Sequence, residues 1–275
     1  MSSSSPSIPQ TSIVVFQKRL LRWYQKNGRH SLPWRRNPTP YRVFIAEVML
    51  QQTQADRVRE KYEPFLKKYP NVKRLAAAVQ SELLRAWSGL GYNRRALHLR
   101  EAARCIKNIH GGKIPQSFDE LCRLPGIGPY TAHAISIFSR NADEACVDTN
   151  VRRVLIYEFQ LPKMTTDREI ALLAYQVLPK GRARDWHNAL MDYGALVATG
   201  KRTKISSKSQ QPSFKGSRRE KRGAIIRYCL EKKSVTPTAI ADLLKVDRDE
   251  ATELLRVLTK EKFLHFKRGW FYIKE

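Results

Sequence analysis

The sequence predicts an all-α fold over its first two thirds, followed after a polar break by a small domain of three helices closed by a β-hairpin. Three observations carry that prediction. Helix-start signals recur between Ser12 and Val197 with no run of alternating strand pattern and no repeat of fixed period. From Gly200 to Gly223 the composition turns basic and rich in Ser and Gln, with nine Lys or Arg against one Glu. The chain then ends in two short aromatic-rich runs around Lys267-Arg268-Gly269.

In chain order, residues 2–10 (SSSSPSIPQ) are of low complexity, and a flexible tail is expected over residues 1–13. Residues 14–199 read as one helical domain. Within it Thr39-Pro40 forms an N-cap and first helical residue, while Ser117 with Glu120 and Thr166 with Glu169 have capping-box spacing. Residues 200–218 read as a basic linker, or as an arm that lies on phosphate. The last segment, 219–275, carries a helix over 219–232 and a second opened by Thr236-Pro237. Asp247 and Glu250 cap a third that runs to about Lys262, and a hairpin pairs Phe263–Phe266 with Trp270–Ile273. That order is the winged-helix pattern, the alternative being a small helical cap that packs on the first domain or on a partner.

With 275 residues the chain is long enough for about two domains. Lys plus Arg number 51 against 25 Asp plus Glu, so 51 − 25 gives +26, with a pI near 10.2. At 42% hydrophobic and 9% aromatic residues it is globular in composition, which excludes a wholly disordered basic tail. A folded polycation points to a polyanionic partner, most simply nucleic acid, although ribosomes or an anionic membrane satisfy the charge alone. Cys105, Cys122, Cys146 and Cys229 match neither a zinc-knuckle spacing nor a disulfide scaffold, and the six histidines show no metal-ligand spacing. The longest early apolar run, Ile13–Phe16, is too short for a signal segment or a membrane span, so a soluble intracellular protein is expected.

Three features carry chemistry. Leu124-Pro125-Gly126-Ile127-Gly128 lies between two helical segments, where two glycines permit a tight turn and the next helix offers N–H groups to a phosphate. Glu47 stands inside Val43–Leu50 with apolar neighbours on every helical face. Burial there raises its pKa and makes it a proton donor, unless it is half of a buried ion pair. Asp148 reads as an ordinary N-cap for the helix from Thr149, or as a carboxylate kept ionised by that cap. A protonated Glu with an ionised Asp is the pair that glycosidic cleavage uses.

The motifs LPGIGPYTAHAI (124–135) and Val147-Asp148-Thr149-Asn150 together resemble the helix-hairpin-helix (HhH-GPD) DNA glycosylase superfamily. Leu32–Arg35, Glu47–Gln54, Gly89–Tyr92 and Leu190–Leu196 follow its MutY-like adenine glycosylase branch in collinear order, over about residues 14–198. The resemblance implies an all-α helix-hairpin-helix fold of two helical subdomains. It implies a monofunctional N-glycosylase in which Glu47 protonates the departing purine, Asp148 stabilises the sugar cation, and Tyr130 and Asn150 support them. Lyase-type relatives carry Lys at the position of Tyr130, so strand nicking is not expected. Gln51, Gln52, Thr53 and Tyr92 match residues that wedge the duplex and contact the opposite base. Arg94, Gly126, Gly128 and Thr131 join the expected DNA contacts, and the hairpin carbonyls are expected to hold a monovalent cation. The implied partner is double-stranded DNA with a mispaired or damaged base, on the chromosome. A monomer is expected, no membrane is involved, and protein partners cannot be read from the sequence.

Two departures qualify the resemblance. Cluster-bearing relatives place four cysteines after the Gly-Ala-Leu-Val segment, where this chain has Ala198, Ile205, Lys208 and Phe214, so no iron–sulfur cluster or other cofactor is expected. Residues 219–275 do not resemble the Nudix-like module of typical MutY proteins. Adenine opposite 8-oxoguanine or guanine is the expected substrate. Thymine or uracil opposite guanine is the alternative, and a non-catalytic DNA-binding protein the remote one.

Overall fold

The computed structural model describes residues 8–206 and 213–275. Helices α1 (Gln10–Asn27), α2 (Pro33–Arg36) and α3 (Pro40–Leu50) open the chain, followed by α4 (Ala55–Lys68), α5 (Val72–Ala76), α6 (Gln80–Trp87) and α7 (Arg94–Ile109). Next come α8 (Phe118–Cys122), α9 (Pro129–Arg140), α10 (Thr149–Glu158), α11 (Asp167–Gln176), α12 (Ala183–Leu196) and α13 (Gly200–Thr203). The C-terminal segment holds α14 (Arg218–Lys232), β1 (Ser234–Val235), α15 (Pro237–Leu244), α16 (Arg248–Lys260), β2 (Leu264–Lys267) and β3 (Trp270–Ile273). Among the described residues no helix is long and apolar enough to cross a membrane.

The caps form where the residue types dictate. Thr39 Oγ1 accepts from Arg42 N–H at the start of α3, Ser117 from Glu120 N–H at α8, and Thr166 and Glu169 complete a reciprocal box at α11. Helix α1 begins at Gln10, earlier than the tail expectation allowed. Its Ile13 is fully buried, and burying that side chain stabilises the first turns. Residues 1–7 lie outside the described residues.

The chain divides into two compact units. One holds the chain up to Val48 together with the stretch that begins at Ile114; the other holds Met49–Lys113 together with the segment that ends at Glu275. In the first, Phe16 and Leu20 of α1, Val154 and Leu155 of α10, Leu173 of α11 and Trp186 of α12 close one apolar core, with Phe16 edge-on to Trp186 at 5.4 Å. The stretch expected as linker starts inside this core. Thr199 caps α13, Ile205 is buried, and the Arg153 Nε–H donates to the Ile205 carbonyl at 3.2 Å.

In the second unit Val58, Tyr62 and Phe65 of α4, Trp87 of α6 and Leu99 and Ile106 of α7 are buried. The C-terminal segment has its own apolar centre in Ile225, Ile240, Leu254, Leu258 and Phe263. The terminal hairpin is antiparallel, with Phe266 opposite Phe271, but it is not two-stranded: Ser234–Val235 pairs with β3, giving the order β1-β3-β2. Two residues cannot announce a strand by periodicity, so this strand exists only through pairing. Buried Gln80 joins the segment to α6, donating to the Lys262 and Phe263 carbonyls at 3.0 and 3.1 Å.

Candidate active site

Helix α3 brings Glu47 into the first unit as a polar residue between Val43, Phe44, Ala46 and Val48, all buried. The glutamate is 9% exposed. Desolvation, then the nearby Asp148 carboxylate, push its pKa from 4.5 up to about 7, with Arg35 acting in the opposite sense. Half of the carboxyls are therefore protonated near neutral pH.

Asp148 is the N-cap of α10, and its Oδ1 accepts the Val151 N–H at 2.7 Å while Oδ2 accepts from Asn150 Nδ2 at 3.0 Å. The sequence expectation was that these donors hold the carboxyl ionised. Burial outweighs them, and the Asp148 pKa is raised rather than lowered. Tyr130, in the first turn of α9, and buried Cys146 complete the cluster, with the phenol and thiol hydrogen-bonded to each other and both near Glu47 and Asp148. Burial, reinforced by the carboxylates, holds both groups well above their ordinary pKa, so both are neutral proton carriers.

A surrounding shell fixes this cluster. Asp192, fully buried on α12, pairs with Arg29 at 2.6 Å and with Arg35 at 2.7 Å, and accepts the Arg29 N–H at 2.8 Å. Burial pushes its pKa up, but the bonds from Arg35 and Arg29 more than offset this and leave it below the ordinary range. Asp192 thereby holds Arg35, the cation that acts on Glu47. Gly194, two residues further along the same motif, allows Asn150 to approach: a Cβ there would lie 2.7 Å from the Asn150 Cβ. Arg153 donates to both Asn150 Oδ1 and the Gly194 carbonyl at 3.3 Å. His187 Nδ1–H donates to the Ala183 carbonyl, so Nε2 accepts the Cys146 N–H at 3.2 Å; burial keeps the ring neutral, with a pKa near 4.

The expected turn lies between α8 and α9, with one change of reasoning. Gly126 has φ 78° and requires glycine, whereas Gly128 has an ordinary φ of −94°. A Cβ on Gly128 would meet nothing within 4 Å, so what that glycine preserves is open space before the N-terminus of α9. Thr131 is only 5% exposed, which removes its hydroxyl as a surface contact and leaves its backbone N–H in the first turn of the helix. Tyr130 is 37% exposed while its phenol reaches the cluster.

Gln51, Gln52, Thr53, Tyr92 and Arg94 belong to the second unit. Gln52 and Tyr92 both have positive φ, at 56° and 44°, an uncommon conformation for residues with a side chain. Arg95 holds their two turns together. Its guanidinium donates to the Met49 and Gln51 carbonyls at 2.8 and 2.6 Å, to Thr53 Oγ1 at 2.9 Å, and to the Leu90 and Gly91 carbonyls at 3.1 Å. Burial lowers its pKa to about 10, still charged at neutral pH. Arg94, the arginine expected at the DNA, is exposed, and its neighbour Arg95 is the one that holds the turns. The period of α7 was the available signal, because it turns Arg95 inward beside Ala96 and Leu99. Asp192, inside the Leu190–Leu196 motif, and Cys146, just before Val147–Asn150, carry no sequence signal that separates them from ordinary buried residues.

Among the described residues no group of three or more His, Cys, Asp or Glu is placed to hold a metal ion. Ala198 and Ile205 are buried in the first core and Phe214 is exposed, while Lys208 lies outside the described residues.

Residues 45–180 match the HhH-GPD superfamily base excision DNA repair protein family. The adenine DNA glycosylase of Buchnera aphidicola subsp. Baizongia pistaciae is 36% identical over 186 residues, covering 67% of this chain and 53% of the relative. That of Mycolicibacterium smegmatis is 38% identical over 185 residues, covering 66% and 63%. The chain thus spans little more than half of the first relative and under two thirds of the second. Among solved structures, a thermostable thymine-DNA glycosylase superposes with a TM-score of 0.65 at 29% identity, over 69% of this chain and 88% of that one.

Proposed function

Because this chain belongs to the HhH-GPD superfamily of base excision DNA repair proteins, with MutY-like adenine glycosylases among its relatives, we propose that it is a monofunctional DNA N-glycosylase. In this reading it excises adenine mispaired with 8-oxoguanine or guanine. The observation that carries the proposal is the pairing of Glu47 with Asp148 in one buried cluster, with Glu47 poised near pH 7. Its substrate is a double-stranded DNA whose target base leaves the stack.

In the proposed reaction the Glu47 carboxyl gives its proton to the purine as the C1′–N bond breaks and the bonding electrons leave with the base. The Asp148 carboxylate faces the resulting sugar cation, and its Asn150 and Val151 donors keep it aimed. Water adds at C1′, its proton returns to Glu47, and an abasic site remains. Tyr130 offers no amine to attack C1′, so the strand stays intact. Gly126 and Gly128 shape the turn that receives a phosphate at α9, whose first-turn N–H groups include that of Thr131. Gln51, Gln52, Thr53, Tyr92 and Arg94 form the surface that enters the duplex. Leu124–Gly128 carries no polar side chain, so the monovalent cation of this reading would be held by backbone carbonyls.

We read the chain as cluster-free, since Ala198, Ile205, Lys208 and Phe214 have no side chain that ligates iron. We read residues 219–275 as a winged helix, supported by the order of α14, α15, α16 and the hairpin. Its third helix balances Asp249, Glu250 and Glu253 with Arg248, Arg256 and Lys260, so α16 is net neutral.

The test is incubation of the purified protein with labelled A·8-oxoG, A·G, T·G and U·G duplexes, with and without alkali. Alkali-dependent cleavage of the adenine strand is expected. The likeness to a thymine-DNA glycosylase makes release of thymine or uracil the outcome that would replace adenine as substrate.

A further inference from the structure

Planar cations and aromatic rings alternate in a row through the second unit. Trp87, fully buried, faces the Arg95 guanidinium at 5.3 Å, and Arg95 lies 5.6 Å from the Tyr92 ring. Arg219, from the first turn of α14, stands over the other end: its guanidinium is 4.8 Å from the Tyr92 ring and 5.2 Å from that of Phe214, and it donates to the Tyr92 hydroxyl. The row ends in Phe214, which is 52% exposed.

The inner half of this row has a structural task, since Arg95 fixes both turns. The outer half adds nothing to the apolar core, and its backbone turn is hydrogen-bonded. The Phe214 carbonyl accepts from Ser217 N–H and Oγ–H at 3.2 and 2.7 Å, and Gly216 N–H donates to Glu220 at 2.6 Å, so the turn presenting the ring is itself capped. An exposed aromatic beside a guanidinium is a surface on which a nucleobase stacks. The row contains no carboxylate; it offers donors and ring faces. Donation suits the O6 acceptor of guanine better than the amino donor of adenine, and the larger purine face stacks on the ring better than thymine, which also carries an acceptor at O4.

We propose that Phe214 and Arg219 are specificity-determining residues for the base opposite the one excised, selecting a guanine-type partner by stacking and by donation from the Arg219 guanidinium. This rests on the glycosylase reading above. It gives Phe214, in the turn before α14, and Arg219 a recognition role within the second unit.

The test uses the full chain and needs no turnover. Anisotropy measures binding to duplexes with a tetrahydrofuran abasic analogue opposite guanine, 8-oxoguanine, adenine or thymine. The unaltered protein is expected to prefer the guanine-type partners by about tenfold or more, the range of one good base contact. Arg219→Ala and Phe214→Ala bring that ratio toward one, and Arg219→Lys, which keeps the charge and loses the plane, lowers it. Exposed Arg218, adjacent and equally charged, serves as control, and Arg218→Ala weakens all duplexes alike with the ratio intact. A ratio of one in the unaltered protein, or an Arg219→Ala variant indistinguishable from Arg218→Ala, would overturn the proposal. Should Arg219→Ala unfold, Arg219→Lys and Phe214→Ala decide. If no adenine is released while an Arg219-dependent ratio persists, the adenine reading fails and the opposite-base assignment stands.

Discussion

In the proposed reaction Glu47 is the proton donor, and its burial makes two measurable demands. If it donates the proton with a pKa near 7, single-turnover base release falls as pH rises through 7, and Glu47→Gln lowers that rate by at least about a hundredfold. The same shift is a stability statement. Both states are protonated below pH 4.5, and the folded state loses stability as pH rises from there through about 7, by about 3 kcal/mol in all. Glu47→Gln therefore unfolds at higher denaturant than the parent at pH 8, and the difference vanishes near pH 4, as urea titrations at both values would reveal. Asp192 has the opposite sign. Its pKa is depressed by Arg35 and Arg29, so its contribution is present at neutral pH and lost in acid. Asp192→Asn leaves two arginines short of a counter-charge and costs about 3–5 kcal/mol at pH 7, measurable by the same titration.

At the scale of elements, the turn between α8 and α9 separates two roles that its sequence writes with one letter. Alanine at Gly126 must adopt φ 78° and costs about 1–2 kcal/mol in stability. Alanine at Gly128 meets no atom and leaves the melting temperature unchanged, while its methyl fills the space before α9 and weakens DNA binding severalfold. If instead Gly128→Ala binds duplex as the parent does, that space is not where a phosphate sits. The two turns at 50–53 and 89–92 show the complementary case: neither sequence stretch encodes its own shape, and the Arg95 guanidinium imposes one on both.

For the molecule as a whole, one buried amide is among the bonds that tie the C-terminal segment to α6. Gln80 donates to the Lys262 and Phe263 carbonyls and accepts from Arg100 Nη2 at 2.8 Å. Gln80→Leu preserves the volume, strands those partners and costs about 1–3 kcal/mol, with hydrogen exchange at Phe263 and Leu264 rising first. Much of this architecture was legible beforehand. The helices start where Thr39, Ser117, Asp148, Thr166, Thr236 and Asp247 said they would, because a cap is a local bond between residues three apart. The isolated Glu47 in an apolar helix announced its own desolvation. What the sequence could not fix was any property set by distant partners: the upward shift of Asp148, the inward turn of Thr131, the strand at Ser234–Val235, and the row from Trp87 to Phe214. The sequence by itself determined the helical class, the basic character, the motifs and their candidate acid. Tertiary structure alone decided which arginine clamps, which glycine must be glycine and which carboxylate is destabilised, because desolvation and pairing depend on what packs around a group rather than on its neighbours in the chain.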